Sequence, residues 1–498
     1  MGKVVLLGAG PGELDLLTIK GEKLLRKADC IVYDRLANPA MLSIAPDNSE
    51  KIFVGKQNHL HTMPQDKINE LLLEKANEYE LVVRLKGGDP YVFGRGGEEA
   101  LYLKENGIDV ESVPGISSSI AALSTAGIPI THRGLSKGFQ VITAHSRRDE
   151  AADINYSLLT DDTVTLVFLM GLAHVEEIAN GLLSVGRSEN TPIAVISNGT
   201  TNHQTKCVGN LCNIAEKIKS ADIVSPAIIV VGDVVSLAGD LNFFERRKLF
   251  GKKYFLPFIK HFNYSFKADG FEQNRNELED SLISLGADIL TVETGCISPV
   301  KCNLEFLNEK NKNGFIVFTS ANGVKSFFWN LWVVNHLDVR ALGHFKFAVV
   351  GKKTKEALED FGIVADIISD KQNGADLANI LNVSLESGEI HWACGKDTSA
   401  GFEETLKKDI ALHKHICYEN VLLDISFSDE MLNEIAACDG AIFTSGSNAS
   451  ATIPHLKGRM PEKIYSIGPA CTKKINELGY TNTIEAEISS YAGILELL

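Results

Sequence analysis

The chain has 498 residues, 44% of them hydrophobic, a length and composition that suit about three globular domains with sizeable cores. Its formal charge of -15, about -6 before residue 250 and about -9 after it, argues against a nucleic-acid partner, which needs a basic face for phosphates. No apolar run approaches the roughly 18 residues of a membrane span: Ala227-Ile228-Ile229-Val230-Val231, among the longest, is broken by Gly232 and Asp233.

In chain order, Val4-Val5-Leu6-Leu7 reads as a buried strand running into the turn Gly8-Ala9-Gly10-Pro11-Gly12, with a helical pattern over Leu16 to Leu25. A dinucleotide-binding turn is one reading, with Asp34 standing where a ribose-binding acid would stand. The spacing opposes it, because the third glycine would fall on Glu13 and Pro11 removes a backbone N-H. Strands follow near 29–33, 51–54 and 80–86, with helical periodicity near 64–78 and 96–106, and this alternation predicts α/β layering. The strand Leu81 to Leu85 opens into Lys86-Gly87-Gly88-Asp89-Pro90-Tyr91-Val92-Phe93-Gly94-Arg95-Gly96-Gly97-Glu98-Glu99, and so many glycines imply close approach of the backbone to a ligand. Beyond the turn Val113-Pro114-Gly115, strands near 139–144, 164–169, 192–197 and 227–232 predict a second α/β region, with a ligand cleft between the two.

Taken together, Gly8 to Gly12, Tyr33-Asp34, Gly55-Lys56, Gln65 with Ile68-Asn69, the glycine run, Val113 to Ser117, Ala126 to Arg133, Met170-Gly171 and Ser225-Pro226-Ala227 resemble the uroporphyrinogen-III C-methyltransferases. These belong to the tetrapyrrole methylases, and the likeness spans about residues 1–240. It implies two α/β subdomains, 1–113 and 114–242, with S-adenosyl-L-methionine between them. The cofactor pocket implied is Pro11, Gly87, Gly88, Asp89, Val92, Ser117, Ser118, Met170, Gly199 and Ala227, with Asp34 as proton acceptor and Lys56 as donor. The substrate implied carries eight carboxylates, so basic groups must offset an acidic chain. Arg35, Arg95 and Arg133 are the first candidates, with Lys56, Arg84, Lys86, Arg147 and Arg148 in or beside the same loops. Gln57 stands where the family writes Arg, and Ala144 where a Gly is usual.

Around Asp240 to Lys253 the pattern changes, and an internal repeat follows. Ile316 to Gly323 is echoed by Ala441 to Asn448, each strand ending Phe-Thr-Ser, and Val349 to Thr354 is echoed by Ser466 to Thr472. The repeat, with Leu285 to Asp288 and Cys417-Tyr418-Glu419, resembles uroporphyrinogen-III synthase. The likeness implies two α/β lobes joined by a two-stranded connection, 252–292 with 420–498 and 293–419. It implies a cofactor-free ring closure in the cleft, for which Thr319, Ser320, Asn322, Gly323, Thr354, Thr444, Ser445, Ser447 and Thr472 are the substrate contacts and Tyr418 the acid or hydrogen-bond donor. Phe255 to Lys260 departs from the family's Thr-Arg strand ending, and an insertion runs through Asn276.

The expected activity is bifunctional: hydroxymethylbilane closed to uroporphyrinogen III with D-ring inversion, then methylated twice to precorrin-2. The alternatives are a noncatalytic C-terminal module and a nucleotide-dependent oxidoreductase. Nine scattered cysteines without a C-x-x-C pair read as reduced thiols in a cytoplasmic protein. His59 with His61 and His413 with His415 read as solvated loop residues, so no metal site is expected. A homodimer through the first half is implied by the resemblance.

Overall fold

A computed structural model describes residues 2–46, 48–55, 63–144, 153–262, 264, 277–308, 314–369, 371, 373–385, 388–398 and 401–498. Lys56, Gln57, His59, His61, Arg147 and Arg148 lie outside the described residues. The chain divides into two compact units, Met1–Lys252 with Gln273–Asp288, and Lys253–Glu272 with Ile289–Leu498.

The first unit contains two sheets. Strands β1 (Lys3–Gly8), β2 (Cys30–Tyr33), β3 (Glu50–Phe53), β4 (Leu81–Lys86) and β5 (Asp109–Val113) form a parallel sheet in the order β3-β2-β4-β1-β5. Side chains alternate across a strand, so Val4, Leu6, Val32 and Val82 enter one core while Val5, Leu7, Ile31 and Val83 enter another. Helices α1 (Ile19–Leu25), α2 (Gln65–Glu78) and α3 (Gly96–Glu105) cover these faces, which is why the strands read as continuous apolar runs. Helix α4 (Ser118–Thr125) then leads to a mixed sheet of β6 (Gly138–Thr143), β7 (Val164–Leu169), β8 (Pro192–Ser197), β9 (Thr205–Asn210) and β10 (Ala227–Val231), in the order β6-β7-β10-β8-β9. It is covered in part by α5 (Val175–Ser184) and α6 (Ile214–Lys219).

In the second unit one continuous sheet runs β15-β14-β13-β16-β17-β12-β11-β18-β19-β20. Its strands are β11 (Lys253–Lys260), β12 (Asp288–Pro299), β13 (Gly314–Phe318), β14 (Lys346–Val349), β15 (Ile367–Ile368), β16 (Glu389–Gly395), β17 (Ala411–Leu422), β18 (Gly440–Phe443), β19 (Ile464–Ser466) and β20 (Thr483–Glu485). Two parallel halves are joined by the antiparallel pair β12 and β17, in register from Gly295 opposite Leu422 to Pro299 opposite Tyr418. The doubled Phe-Thr-Ser signature falls at equivalent places. Ser320 caps α7 (Ala321–Trp329) by accepting from Gly323 N, and Ser445 caps a second helix (Gly446–Thr452) by accepting from Asn448 N.

The sequence boundary assigns 252–292 to a synthase lobe, whereas 273–288 clusters with the first unit. The hydrogen bonds explain the difference: Leu249 N donates to Leu285 O at 2.9 Å and Asp288 N to Lys252 O at 2.8 Å.

Candidate active sites

In the first unit the loops leaving β1, β4 and β5 converge, as ligand-binding turns do at the carboxyl ends of parallel strands. Gly10 N donates to Gly88 O at 3.1 Å and Gly88 N to Gly10 O at 2.6 Å. A Cβ on Gly115 would stand 2.2 Å from Gly88 O, so this crossing of backbones admits no side chain there. Asp89 Oδ2 accepts from Gly115 N at 3.1 Å and its Oδ1 from Tyr91 N at 2.8 Å. Gly88 itself has φ +66°, and among the described residues a Cβ there would meet only Ser117 Cα and Ser118 N, both at 3.9 Å. The open face of Gly88 therefore looks toward the start of α4, which Ser117 caps by accepting from Ser119 N.

The second sheet closes on the same loops. Glu13 N donates to Thr200 Oγ1 at 3.4 Å, and a Cβ on Gly199 would stand 2.2 Å from Ala122 Cβ on α4. Ile228 pairs with Leu169, a register that carries Met170 beside Ala227. Met170 is 50% and Val92 38% exposed, so both apolar side chains remain open to a ligand. Gly87 packs on the loop after Asp34, where its Cβ would meet Leu36 Cβ at 2.6 Å. These contacts tie Gly87, Gly88, Asp89, Ser117, Ser118, Gly199 and the turn around Pro11 into one small-residue cradle. It fits a nucleoside bound against backbone. The dinucleotide reading of the glycine turn fits less well, because the Gly10 N-H that would face a pyrophosphate is spent on Gly88.

Beside the cradle stands a charged cluster. Asp34 directly follows β2, where its Oδ1 accepts from Leu36 N at 3.0 Å and its Oδ2 from Arg84 Nη2 at 3.0 Å. Arg84 is 3% exposed, Lys86 5% and Glu99 0%. Glu99 Oε1 accepts from Lys86 Nζ at 2.9 Å, Gln65 Nε2 at 3.0 Å and Arg84 Nε at 3.4 Å. Burial, with Arg84 alongside, holds the Lys86 ammonium below its ordinary pKa. Two of the expected carboxylate contacts are thereby corrected: Arg84 and Lys86 are buried and paired with Glu99 inside the domain, because their alternate places on β4, with Val82, face the core under α2 and α3. Arg35 and Arg133 are exposed. Arg95 is engaged by Glu98 through two hydrogen bonds of 3.0 and 2.7 Å.

In the second unit a cavity of about 420 Å³ is lined by Thr319, Ser320, Trp392, Lys396, Tyr418 and Asn420, among others. Tyr418 OH and Ser320 Oγ are 3.0 Å apart, and Thr319 Oγ1 accepts from Trp392 Nε1 at 3.1 Å. A Cβ on Gly395 would strike the Tyr418 ring at 2.8 Å, so glycine makes room for the phenol. Burial raises the Tyr418 pKa and keeps the hydroxyl protonated. His261, unmarked by any motif, places Nδ1 3.4 Å from Asn322 Oδ1.

The structure does not bring the other repeat copy into this cavity. Thr444 and Ser445 bond Asn448, Thr472 bonds Ser466 at 2.5 Å, and Ser447 is exposed. Thr354 is buried on α8 (Lys352–Glu359), and Gly323 packs on Ala393 O. The reading of His413 and His415 as loop residues is corrected. Both lie on β17, where His415 Nε2 is 3.0 Å from the Nδ1 of buried His391 and its ring stacks on Phe306 at 4.7 Å. Alternation on a strand beside another His-bearing strand was the signal available.

Two families share this chain. Tetrapyrrole (Corrin/Porphyrin) Methylases match residues 3–215, and Uroporphyrinogen-III synthase HemD matches residues 277–496. Over 469 residues the chain is 36% identical to "Porphyrin biosynthesis protein HemD" of Ruminiclostridium josui, covering 92% of this chain and 89% of that protein. Its first half is 47% identical over 238 residues to the uroporphyrinogen-III C-methyltransferase of Methanocaldococcus jannaschii, covering 47% of this chain and 98% of that protein. Among solved structures, uroporphyrin-III C-methyltransferase of Thermus thermophilus complexed with S-adenosylhomocysteine is 38% identical, covering 47% of this chain and 93% of that one with a TM-score of 0.41. The chain belongs to the fusions of a tetrapyrrole methylase with a uroporphyrinogen-III synthase.

Proposed function

We propose that the chain is a bifunctional tetrapyrrole enzyme, closing hydroxymethylbilane to uroporphyrinogen III with D-ring inversion and methylating that product twice to precorrin-2. The observation that carries the reading is the two family matches in series, residues 3–215 within the first unit and residues 277–496 mostly within the second.

In the first unit Gly87, Gly88, Asp89, Ser117, Ser118, Gly199 and the Pro11 turn would hold S-adenosyl-L-methionine, with Val92, Met170 and Ala227 as apolar contacts. When bound, the cofactor supplies an electrophilic methyl group. The protein contributes orientation of an electron-rich pyrrole carbon and exclusion of water. Asp34 accepts the proton that leaves the methylated ring, and Arg84 fixes its carboxylate for that transfer. Lys56 is assigned the complementary donor role from the family position. Arg35, Arg95 and Arg133 are assigned to substrate carboxylates, for which Arg95 must exchange its Glu98 partner.

In the second unit the Tyr418 hydroxyl donates to the departing hydroxyl of the linear tetrapyrrole, oriented by Ser320. Thr319, Asn322 and the backbone around Gly323 hold the inverting ring, and Thr354, Thr444, Ser445, Ser447 and Thr472 serve as supports on the repeat. The reading includes a cytoplasmic homodimer through the methyltransferase half, which sedimentation of the full chain tests.

Hydroxymethylbilane given to the full chain without S-adenosyl-L-methionine should yield the type III isomer. Adding the cofactor should convert it to a dimethylated product two methyl groups heavier. Formation of type I alone sinks the synthase assignment and favours a noncatalytic second half. Failure to methylate supplied uroporphyrinogen III sinks the other assignment.

A further inference from the structure

Cys302 and Cys417 are 115 positions apart in sequence, yet their sulfur atoms lie 3.7 Å from each other. Cys417 is 0% exposed on β17. Cys302 follows β12, is partly exposed and lines a recess of about 450 Å³ together with Asn303, Glu305 and Asn335. One thiol is reachable by a small solute and the other is not. Backbone contacts hold the two chains in place: Val300 N donates to Cys417 O at 2.7 Å, Cys302 N to Asn330 Oδ1 at 2.8 Å, and Asn335 Nδ2 to Cys302 O at 3.1 Å. Closing the remaining gap to an S–S bond requires the sulfurs to approach by about 1.7 Å.

We propose that Cys302 and Cys417 are a peroxide-reactive thiol pair that closes to a disulfide. The roles divide by access and acidity. The contact with Cys417 holds the Cys302 thiol below its ordinary pKa, and the same contact with burial raises Cys417, whose Sγ also lies 3.4 Å from His415 O. The Cys302 thiolate attacks one oxygen of hydrogen peroxide, the O–O bond breaks, and hydroxide leaves and is protonated, giving a sulfenic acid on Cys302. The Cys417 sulfur then attacks Cys302 Sγ; the S–S bond forms, the S–O bond breaks, and water leaves with the Cys417 proton. Two thiols are oxidised to one disulfide, and one peroxide is reduced to two waters.

Tyr418 follows Cys417 directly and faces Ser320, so a bond that draws Cys417 toward Cys302 displaces β17 beside the candidate site. This coupling rests on the synthase reading; the thiol pair does not. The test uses the full chain treated with hydrogen peroxide, alkylated, digested and examined by mass spectrometry. The expected product is a peptide pair joined through Cys302 and Cys417, two hydrogens lighter and separated by dithiothreitol. It should be absent from Cys302→Ser, while Cys417→Ser should accumulate a dimedone-reactive Cys302. Both thiols remaining alkylatable when exposed Cys212 is already oxidised, or a cross-link from Cys302 to Cys394 instead, would overturn the pair. Hydroxymethylbilane turnover should fall at least five-fold on oxidation and return with dithiothreitol. A disulfide that leaves turnover unchanged overturns the coupling. Absence of turnover before oxidation overturns the synthase reading alone, and the mass result still decides the pair.

Discussion

Arg84 Nη2 stands 3.0 Å from Asp34 Oδ2, and the same guanidinium reaches the buried Glu99 Oε1 at 3.4 Å through Nε. The exposed edge of the candidate methylation site is thus anchored by a charge inside the domain. Asp34→Asn keeps the shape of the turn and removes the base, so methyl transfer should fall by about 100-fold or more while S-adenosylhomocysteine binds as before. Turnover near wild type would end the proton-acceptor assignment.

Arg84→Met should do more damage than its distance from the cofactor cradle implies. It strips a partner from Glu99 and frees Asp34 at once, and breaking a buried ion pair costs about 3 to 5 kcal/mol. Urea unfolding should show a loss of that order, with methyl transfer reduced in whatever protein remains folded.

Gly88 and Gly115 separate ligand space from packing space. Gly88→Ala places a Cβ with no neighbour among the described residues nearer than 3.9 Å, at φ +66°, a strain of about 1 to 2 kcal/mol. It should fold, with S-adenosylhomocysteine affinity down at least ten-fold by calorimetry. Gly115→Ala drives a Cβ to 2.2 Å from Gly88 O and should lose most of its soluble yield.

Tyr418→Phe retains the ring over Gly395 and deletes the hydroxyl that meets Ser320. Ring closure of hydroxymethylbilane should slow at least ten-fold with little change in melting temperature. Ser320→Ala additionally removes a helix cap, which costs about 1 kcal/mol, so its melting temperature should fall as well.

Burial, and then His413, depress His415 from 6.5 to about 4. Between those values the unfolded chain holds the proton and the folded one does not, so stability falls as pH drops from 6.5 toward 4 and is flat above that window. The full effect is on the order of 3 kcal/mol. Tryptophan fluorescence isolates it, because Trp329, Trp332 and Trp392 all lie in the second half. In His415→Gln this part of the slope should vanish.

Strands such as Val164–Leu169 and Pro192–Ser197 were legible to the residue because both of their faces are apolar and their ends are marked by turn residues. Strand β5 and helix α4 were less so, since Asp109-Val110-Glu111-Ser112 alternates weakly and pairs with β1 only through distant register, whereas α3 lies where the periodicity near 96–106 put it. The glycines and the Phe-Thr-Ser repeat announced themselves by composition and spacing, and Asp34 through the family resemblance. The fates of Arg84, Lys86, Thr444 and Ser445 did not, because a charge on a strand and a hydroxyl at a helix start look the same whether they meet a ligand or the protein.

By itself the sequence determined the α/β class, the two-family organisation and the glycine cradle, since local pattern and unusual strings specify backbone course and close approach. Tertiary structure alone decided which charges are sealed around Glu99, which repeat copy faces a cavity with Tyr418, and that Cys302 meets Cys417. Those outcomes depend on burial and on contacts between residues far apart in the chain, and neither is written in any one stretch of it.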